Sequence, residues 1–205
     1  MTSETLYKID LHVHAAERSG CATAYEEAQI RAAIDAGLQG MAFTDHHAML
    51  SSERLDELNR KYAPFRIYAG IEITANQEDW LVLGLRDPAL ARAERWTYHE
   101  LAEYVRAKGG FLVLAHPFRY TDQVQVKFNG NAPDAIEYRS NNTPAAKEGE
   151  IRNLAARLGA APLCNSDAHS TKTLGLYFNL LPELPRDDSA LVETLMKLKS
   201  SARGL

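Results

Sequence analysis

The stretch Leu6-Tyr7-Lys8-Ile9-Asp10-Leu11-His12-Val13-His14 decides how the rest of the chain is read. It reads as a strand, and residues two apart on a strand face the same side. His12 and His14 can therefore point at one ion, while Leu11 and Val13 face the opposite side, toward a covering helix. Asp10 shares the histidine face one step deeper, placed to hydrogen-bond a ligand imidazole. A strand with two part-buried histidines has the same look, so the neighbouring segments must choose between the readings.

Outward from this strand, apolar runs alternate with segments of helical period. Thr23 and Glu26 form a T-x-x-E capping box ahead of Ile30, Ala33, Ile34 and Leu38, with Gly37 and Gly40 where that helix can end. Gly40–Thr44 is a strand and Ser52–Tyr62 a helix. Arg66–Ile73 and Trp80–Leu85 are strands. Thr97 and Glu100 cap a helix with Leu101, Tyr104 and Val105 inward and Gly109-Gly110 at its end. Strands at Phe111–His116 and Ala135–Arg139 follow. Thr143-Pro144 opens a further helix, with Pro144 at its first position and Gly159 beyond its end. Strands at Ala161–Ser166 and Leu174–Leu180 and a helix over Ser189–Ser200 complete the pattern. Such alternation, without a Gly-rich phosphate loop, predicts an α/β fold with a mainly parallel sheet in one domain, 1–205.

Composition narrows the function. The 205 residues are 45% apolar and 24% charged, with a formal net charge of -4 and no basic run, so long nucleic acid is not an expected partner. Cys21 and Cys164 belong to no CxxC pair and read as small buried residues. The opening MTSETLYK carries no apolar signal region, and no apolar stretch approaches the ~20 residues of a membrane span. The expected setting is cytoplasmic, with no membrane partner; oligomeric state is unreadable.

Five of the seven histidines, His12, His14, His46, His116 and His169, fall at or just past the C-terminal end of an expected strand. That is the edge where α/β folds build sites. Phe43-Thr44-Asp45-His46-His47 forms one polar cluster there. Glu72, in Ala69-Gly70-Ile71-Glu72-Ile73, sits in an apolar strand, where an unpaired carboxylate would cost several kcal/mol. Either an arginine on a neighbouring strand or a pair of bridged cations would explain it. His116 ends a hydrophobic strand before Pro117, and Asp167 and His169 repeat the i, i+2 spacing of the first segment. Five clusters of ligand-type residues on five strand ends point to a metal centre.

In this order, the D-x-H-x-H, T-D-H, G-x-E, A-H-P and S-D-A-H segments resemble those of the PHP (polymerase and histidinol phosphatase) family. The resemblance spans residues 10 to 169. It implies a distorted (β/α)7 barrel with two or three divalent ions at the C-terminal strand ends, in members that hydrolyse phosphate esters. It implies that His12, His14, Glu72 and Asp167 hold a first ion, that Glu72 bridges to a second on His116, and that His46 and His169 hold a third. Two positions depart from the family pattern. No histidine follows Leu81-Val82-Leu83-Gly84-Leu85-Arg86, and Ser19 and Gly20 stand where a further ligand is common. Glu17 is the nearest carboxylate that could serve the third ion.

Imidazoles with few carboxylates suit Zn, Mn or Fe at about 2 Å. Two divalent ions with Glu72, Asp167 and a hydroxide leave a local charge of about +1, which favours a small anionic phosphorylated substrate. Arg119, three residues past His116, is placed to clamp a phosphate, with Arg18 a weaker candidate. His169 or His47 could protonate a leaving group if free of metal. His99 reads as solvated. The loops near 15–22, 47–52 and 118–134 would set specificity, the last, with Tyr120, Lys127, Phe128 and Asn129, as a candidate lid. Two other readings stand beside phosphoester hydrolysis. One is C–N hydrolysis of amidohydrolase type, although no lysine occupies the place of that group's bridging lysine. The other is a non-catalytic metal-binding partner domain.

Overall fold

In the computed structural model, which describes residues 6–92 and 95–202, the strands fall into two sheets. Met1–Thr5, which open the segment read as lacking a signal region, lie outside the described residues. The first sheet begins with β1 (Tyr7–Val13), α1 (Glu26–Asp35), β2 (Gly40–Phe43), α2 (Ser52–Lys61) and β3 (Arg66–Tyr68), in which β1, β2 and β3 are parallel neighbours. The second takes β4 (Gly70–Ala75), β5 (Glu78–Leu83), β6 (Phe111–Leu114), β7 (Ala135–Arg139) and β8 (Ala161–Cys164), in that order. Helix α3 (Tyr98–Lys108) precedes β6 and α4 (Glu148–Leu158) precedes β8. The short β9 (Asn179–Leu181) pairs antiparallel with β1, and α5 (Asp188–Ala202) ends the described chain.

Both sheets lie within an α/β fold, but they are mixed, and no closed barrel ladder forms among the described residues. The expected strand Arg66–Ile73 is two strands, because Gly70 sits where the chain leaves one sheet for the other. A Cβ there would meet Thr44 Cγ2 at 2.8 Å and Phe43 O at 2.9 Å. Next, β4 and β5 form a hairpin instead of a βα unit. Asn76 and Gln77 at its tip both have positive φ, 52° and 66°, as a two-residue primed turn requires. Thus β5 runs antiparallel to β4 and β6, and its end at Leu83 points away from the ends of its neighbours. Two isolated bridges, His46↔Glu72 and Val13↔Ala168, join the sheets at one end.

Three apolar layers follow. Ile9, Leu11, Leu81, Leu83, Phe111 and Val113 pack with Leu191 and Leu195 of α5 between the sheets. Val13, Phe43 and Ile67 pack under Ile30, Leu55 and Leu58 of α1 and α2. Trp80, Val82 and Leu112 pack under Leu101, Val105 and Ile151 of α3 and α4. Leu11 therefore lies in the inter-sheet core with α5, and not beside Val13 under α1 and α2. The register of β1 on β2 shifts between Asp10 and Val13, a bulge that resets which residues share a face.

Other local expectations are corrected. Tyr25, not Thr23, precedes α1, and Glu26 cannot close a capping box because Arg18 and Arg54 hold its carboxylate. Glu17 caps that helix instead, its two oxygens accepting from Glu26 N at 3.1 and 3.0 Å. Pro144 leads a 3-10 turn at Ala145–Lys147 ahead of α4. Of the expected strand Leu174–Leu180 only Asn179 and Leu180 pair, in β9 (Asn179–Leu181), because the residues before them are still turning out of the 3-10 turn at Thr171–Thr173, with Gly175 at φ 79°. Cys21 is exposed and Cys164 half-buried. The Thr97–Glu100 box forms as expected.

Candidate metal centre

The bulged end of β1 carries His12 and His14 into the space where the two sheets meet. Their Nε2 atoms stand 3.1 Å apart, and each lies 3.2 Å from Asp167 Oδ1. Buried Glu72 of β4 presents Oε2 at 3.5 Å to His12, 3.3 Å to His14 and 2.9 Å to His46 Nδ1, and Oε1 at 3.1 Å to His116 Nε2. Imidazoles, and no arginine, are thus what Glu72 faces. His169 stacks on His14 at 4.2 Å between ring centres. Three groups of donors converge closely enough to hold an ion: His12, His14 and Asp167; His12, Glu72 and His116; and His14, His46 and His169.

The outward nitrogens of the first two rings are fixed. His12 Nδ1–H donates to buried Glu137 Oε1 at 3.1 Å. His14 Nδ1–H donates to Ser19 Oγ at 3.3 Å, whose own hydroxyl donates to Asp45 Oδ1 at 2.6 Å. Both rings therefore turn Nε2 inward, the arrangement of a ligating histidine held from behind by an acceptor. Asp10 plays another part than expected. It accepts from the backbone N–H of His12 at 3.2 Å and of Ser166 at 3.0 Å, and touches no imidazole; burial pushes its carboxyl up to about 7.

Two buried carboxylate oxygens, Glu72 Oε2 and Asp167 Oδ1, make no hydrogen bond. Both lie where the imidazole nitrogens converge, so the donor set fits divalent cations better than it satisfies itself. Charge says the same. Burial raises the Glu72 and Asp167 carboxyls, but His12 and the other imidazoles around them outweigh it and hold both well below the carboxylate range. Burial lowers His12, yet Asp167, Glu137 and Glu72 carry it well above 6.5, while His14 is lowered by burial. The centre attracts positive charge. Backbone strain marks the same residues: His116 and Asp167 have φ of 24° and 50°, conformations that cost about 1–3 kcal/mol each and gather at functional sites.

The other expected site residues divide. Arg119 Nη1 reaches the mouth, 3.5 Å from His116 Nε2 and 3.7 Å from Asp167 Oδ2. His47 is exposed, its Nε2 accepting from Thr74 N at 3.4 Å, and Glu17 is occupied at the helix cap. Arg18 is pinned between Asp45 and Glu26 at 2.7 Å each. His99 is half-buried beside Tyr98, away from the donor groups. The 118–134 loop is anchored, with Gln125 N on Glu78 Oε1 at 2.7 Å and Phe128 edge-on to Tyr98. Sequence reasoning passed over Glu137 and Asn142, and considered Ser19 only at a ligand position. Glu137 carried a usable signal, a carboxylate inside the apolar strand Ala135–Arg139, the same sign that singled out Glu72.

The PHP domain model matches residues 10–157, more than half of the chain. The chain belongs to the PHP family. No curated protein matches its sequence at a significant level. Among solved structures, this PHP chain is similar to a Bifidobacterium adolescentis protein provisionally classed as a metal-dependent phosphoesterase, at TM-score 0.67 and 16% identity, covering 91% of this chain and 95% of the other. A two-domain protein from Bacteroides vulgatus, containing a predicted PHP-like metal-dependent phosphoesterase, aligns at TM-score 0.70 and 15% identity, over 95% of this chain and 64% of its own. An amidohydrolase from Chromobacterium violaceum, with bound sulfate and no metal, aligns at 0.64 and 17%, over 91% and 96%. At these identities the likeness is one of fold. No described helix is long and apolar enough to cross a membrane.

Proposed function

We propose that this PHP domain is a metal-dependent phosphoesterase acting on a small anionic phosphorylated metabolite or nucleotide. The observation that carries the proposal is the pair of buried carboxylate oxygens without hydrogen bonds at the convergence of four imidazoles. In this reading His12, His14, Glu72 and Asp167 hold a first ion, Glu72 and His116 a second, and His46 and His169, with His14 beside them, a third. The two bridges that join the sheets at this end support a distorted (β/α)7 barrel whose ring is interrupted elsewhere.

Divalent Zn, Mn or Fe in these groups would supply Lewis acidity and an activated water. The chain's own residues do the rest. Glu137 and Ser19 keep His12 and His14 aimed inward. Arg119, at the mouth, is positioned to take the non-bridging oxygens of a phosphoryl group and offset charge that grows on them. Of the two histidines considered for protonating the leaving group, His169 faces the centre and could do so only where the third ion is absent, whereas His47 is engaged by β4.

The phosphoester reading is preferred to C–N hydrolysis because the lysines lie elsewhere. Lys61, Lys108, Lys147, Lys197 and Lys199 pair with surface carboxylates, Lys8 covers the Phe178 ring, and Lys127 and Lys172 are exposed. The test is phosphate release by metal-reconstituted protein across phosphomonoesters, nucleotides and diesters, with Asp167→Asn as control. Metal-dependent release that vanishes in the control is expected. Ion-loaded protein that turns over cyclic amides and no ester would overturn the reading in favour of C–N hydrolysis, and turnover of neither would indicate a non-catalytic domain.

A further inference from the structure

The two oxygens of Asp167 are unequal. Oδ1 faces His12 and His14 and makes no hydrogen bond, whereas Oδ2 accepts from Asn142 Nδ2 at 2.5 Å. The carboxamide can only be turned this way, because its oxygen in the same place would face a carboxylate. Asn142 is itself held. Ser140 Oγ accepts from the N–H of Asn142 at 3.3 Å and of Thr143 at 3.1 Å, and Asn141 Nδ2 donates to Ser166 O, beside Asp167. Arg119 Nη1 stands off from the same Oδ2 at 3.7 Å. An arginine and a carboxylate left to themselves close to about 2.7–2.9 Å, often through two bonds. Asn142 Nδ2 already donates to the oxygen that such a pair would use.

We propose that Asn142 is a positioning residue of the centre: it restricts Asp167 to ligation through Oδ1 and keeps Arg119 from closing on that carboxylate, leaving the guanidinium for an anion. The inference rests on the metal-centre reading given above. It also assigns the turn after β7 a role, so that this strand holds the centre at two points, through Glu137 on His12 and through Asn142 on Asp167.

Two titrations test it on the full chain, in wild type, Asn142→Ala and Asn142→Asp. Metal-free protein is titrated with Mn2+ or Co2+, and ion-loaded protein with inorganic phosphate. Asn142→Asp keeps the shape of the turn but removes the donor and gives Arg119 a new carboxylate to pair with. A residue that served packing alone would tolerate it, and it carries the test if Asn142→Ala does not fold. Asn142→Ala is expected to weaken the tightest ion roughly tenfold or more, the scale for losing a partner that orients a ligand. Both variants are expected to change the Co2+ absorption spectrum and to weaken phosphate binding. Variants that match wild type in spectrum and phosphate affinity overturn the role of Asn142 alone. Wild type that takes up no ion overturns the metal reading with it.

Discussion

Glu137 and His12, 125 residues apart in sequence, meet through Oε1 and Nδ1 at 3.1 Å, both fully buried. The same carboxylate accepts from Asn165 Nδ2 at 2.9 Å and, through Oε2, from His116 N at 3.0 Å. One side chain of β7 thereby aligns ligands that come from β1 and from the end of β6.

Glu137→Gln keeps the size of the side chain but exchanges one acceptor for a donor, so His12 and His116 cannot both be held. Metal affinity is expected to fall about 10–100-fold. Competition with a chelator of known affinity measures it, and an unchanged affinity would remove Glu137 from the centre.

Three groups of the centre contribute to the pH dependence of stability. Glu72 and Asp167 lie below their ordinary values of 4.5 and 3.8, so their contribution is present above that range and is lost as pH falls toward the depressed values. His12 lies above 6.5, so its contribution is complete below 6.5 and is lost as pH rises through the raised value. Ion-free protein therefore draws most from this cluster between about pH 5 and 6.5. Added ions compete with the His12 proton. The rise in melting temperature on adding Mn2+ should grow between pH 6 and pH 8; a rise that shrinks over that interval would contradict ligation by His12.

Gly70→Ala should destabilise the protein by about 1–3 kcal/mol, because its Cβ would meet the side chain of Thr44 and the backbone of Phe43 at under 3 Å where neither can move freely. Thermal or urea denaturation measures this. Since Glu72 is two residues on, the variant should also bind ions more weakly.

Arg119→Ala should lower kcat/KM for phosphate esters by about ten- to a hundredfold, the worth of a hydrogen bond to a charged group. Arg119→Lys should recover only part of it, lacking the planar fork. Full activity in Arg119→Ala would exclude the guanidinium from substrate binding.

The ligand-type residues were legible because their chemistry is unusual where they stand. His12 and His14 alternate in a strand, Glu72 interrupts an apolar run, and His116 and Asp167 follow apolar strands. Of the residues that hold those groups, Ser19 and Asn142 were not legible, because they lie in loops, where polar side chains serve many purposes. The strand order suffered where punctuation is silent. Arg66–Ile73 carries no turn signal besides Gly70, so nothing but the Gly70 contacts reveals the change of sheet. Asn76-Gln77 makes a tight turn without a glycine. The Thr23–Glu26 box failed for a tertiary reason, two arginines arriving from elsewhere to claim Glu26.

The pairing of His14 N with Ala168 O at 2.9 Å, and of Ala168 N with His12 O at 3.2 Å, fastens the first strand to a segment more than 150 residues later. If Asp167 is a ligand as proposed, a nascent chain would complete the centre only once residue 167 has left the ribosome, so ion loading would follow synthesis of most of the domain. On the proposed ligation, an ion shared by His12 and Asp167 would act as a staple across nearly the whole chain, and its withdrawal by a chelator should be felt first at the seam between the two sheets.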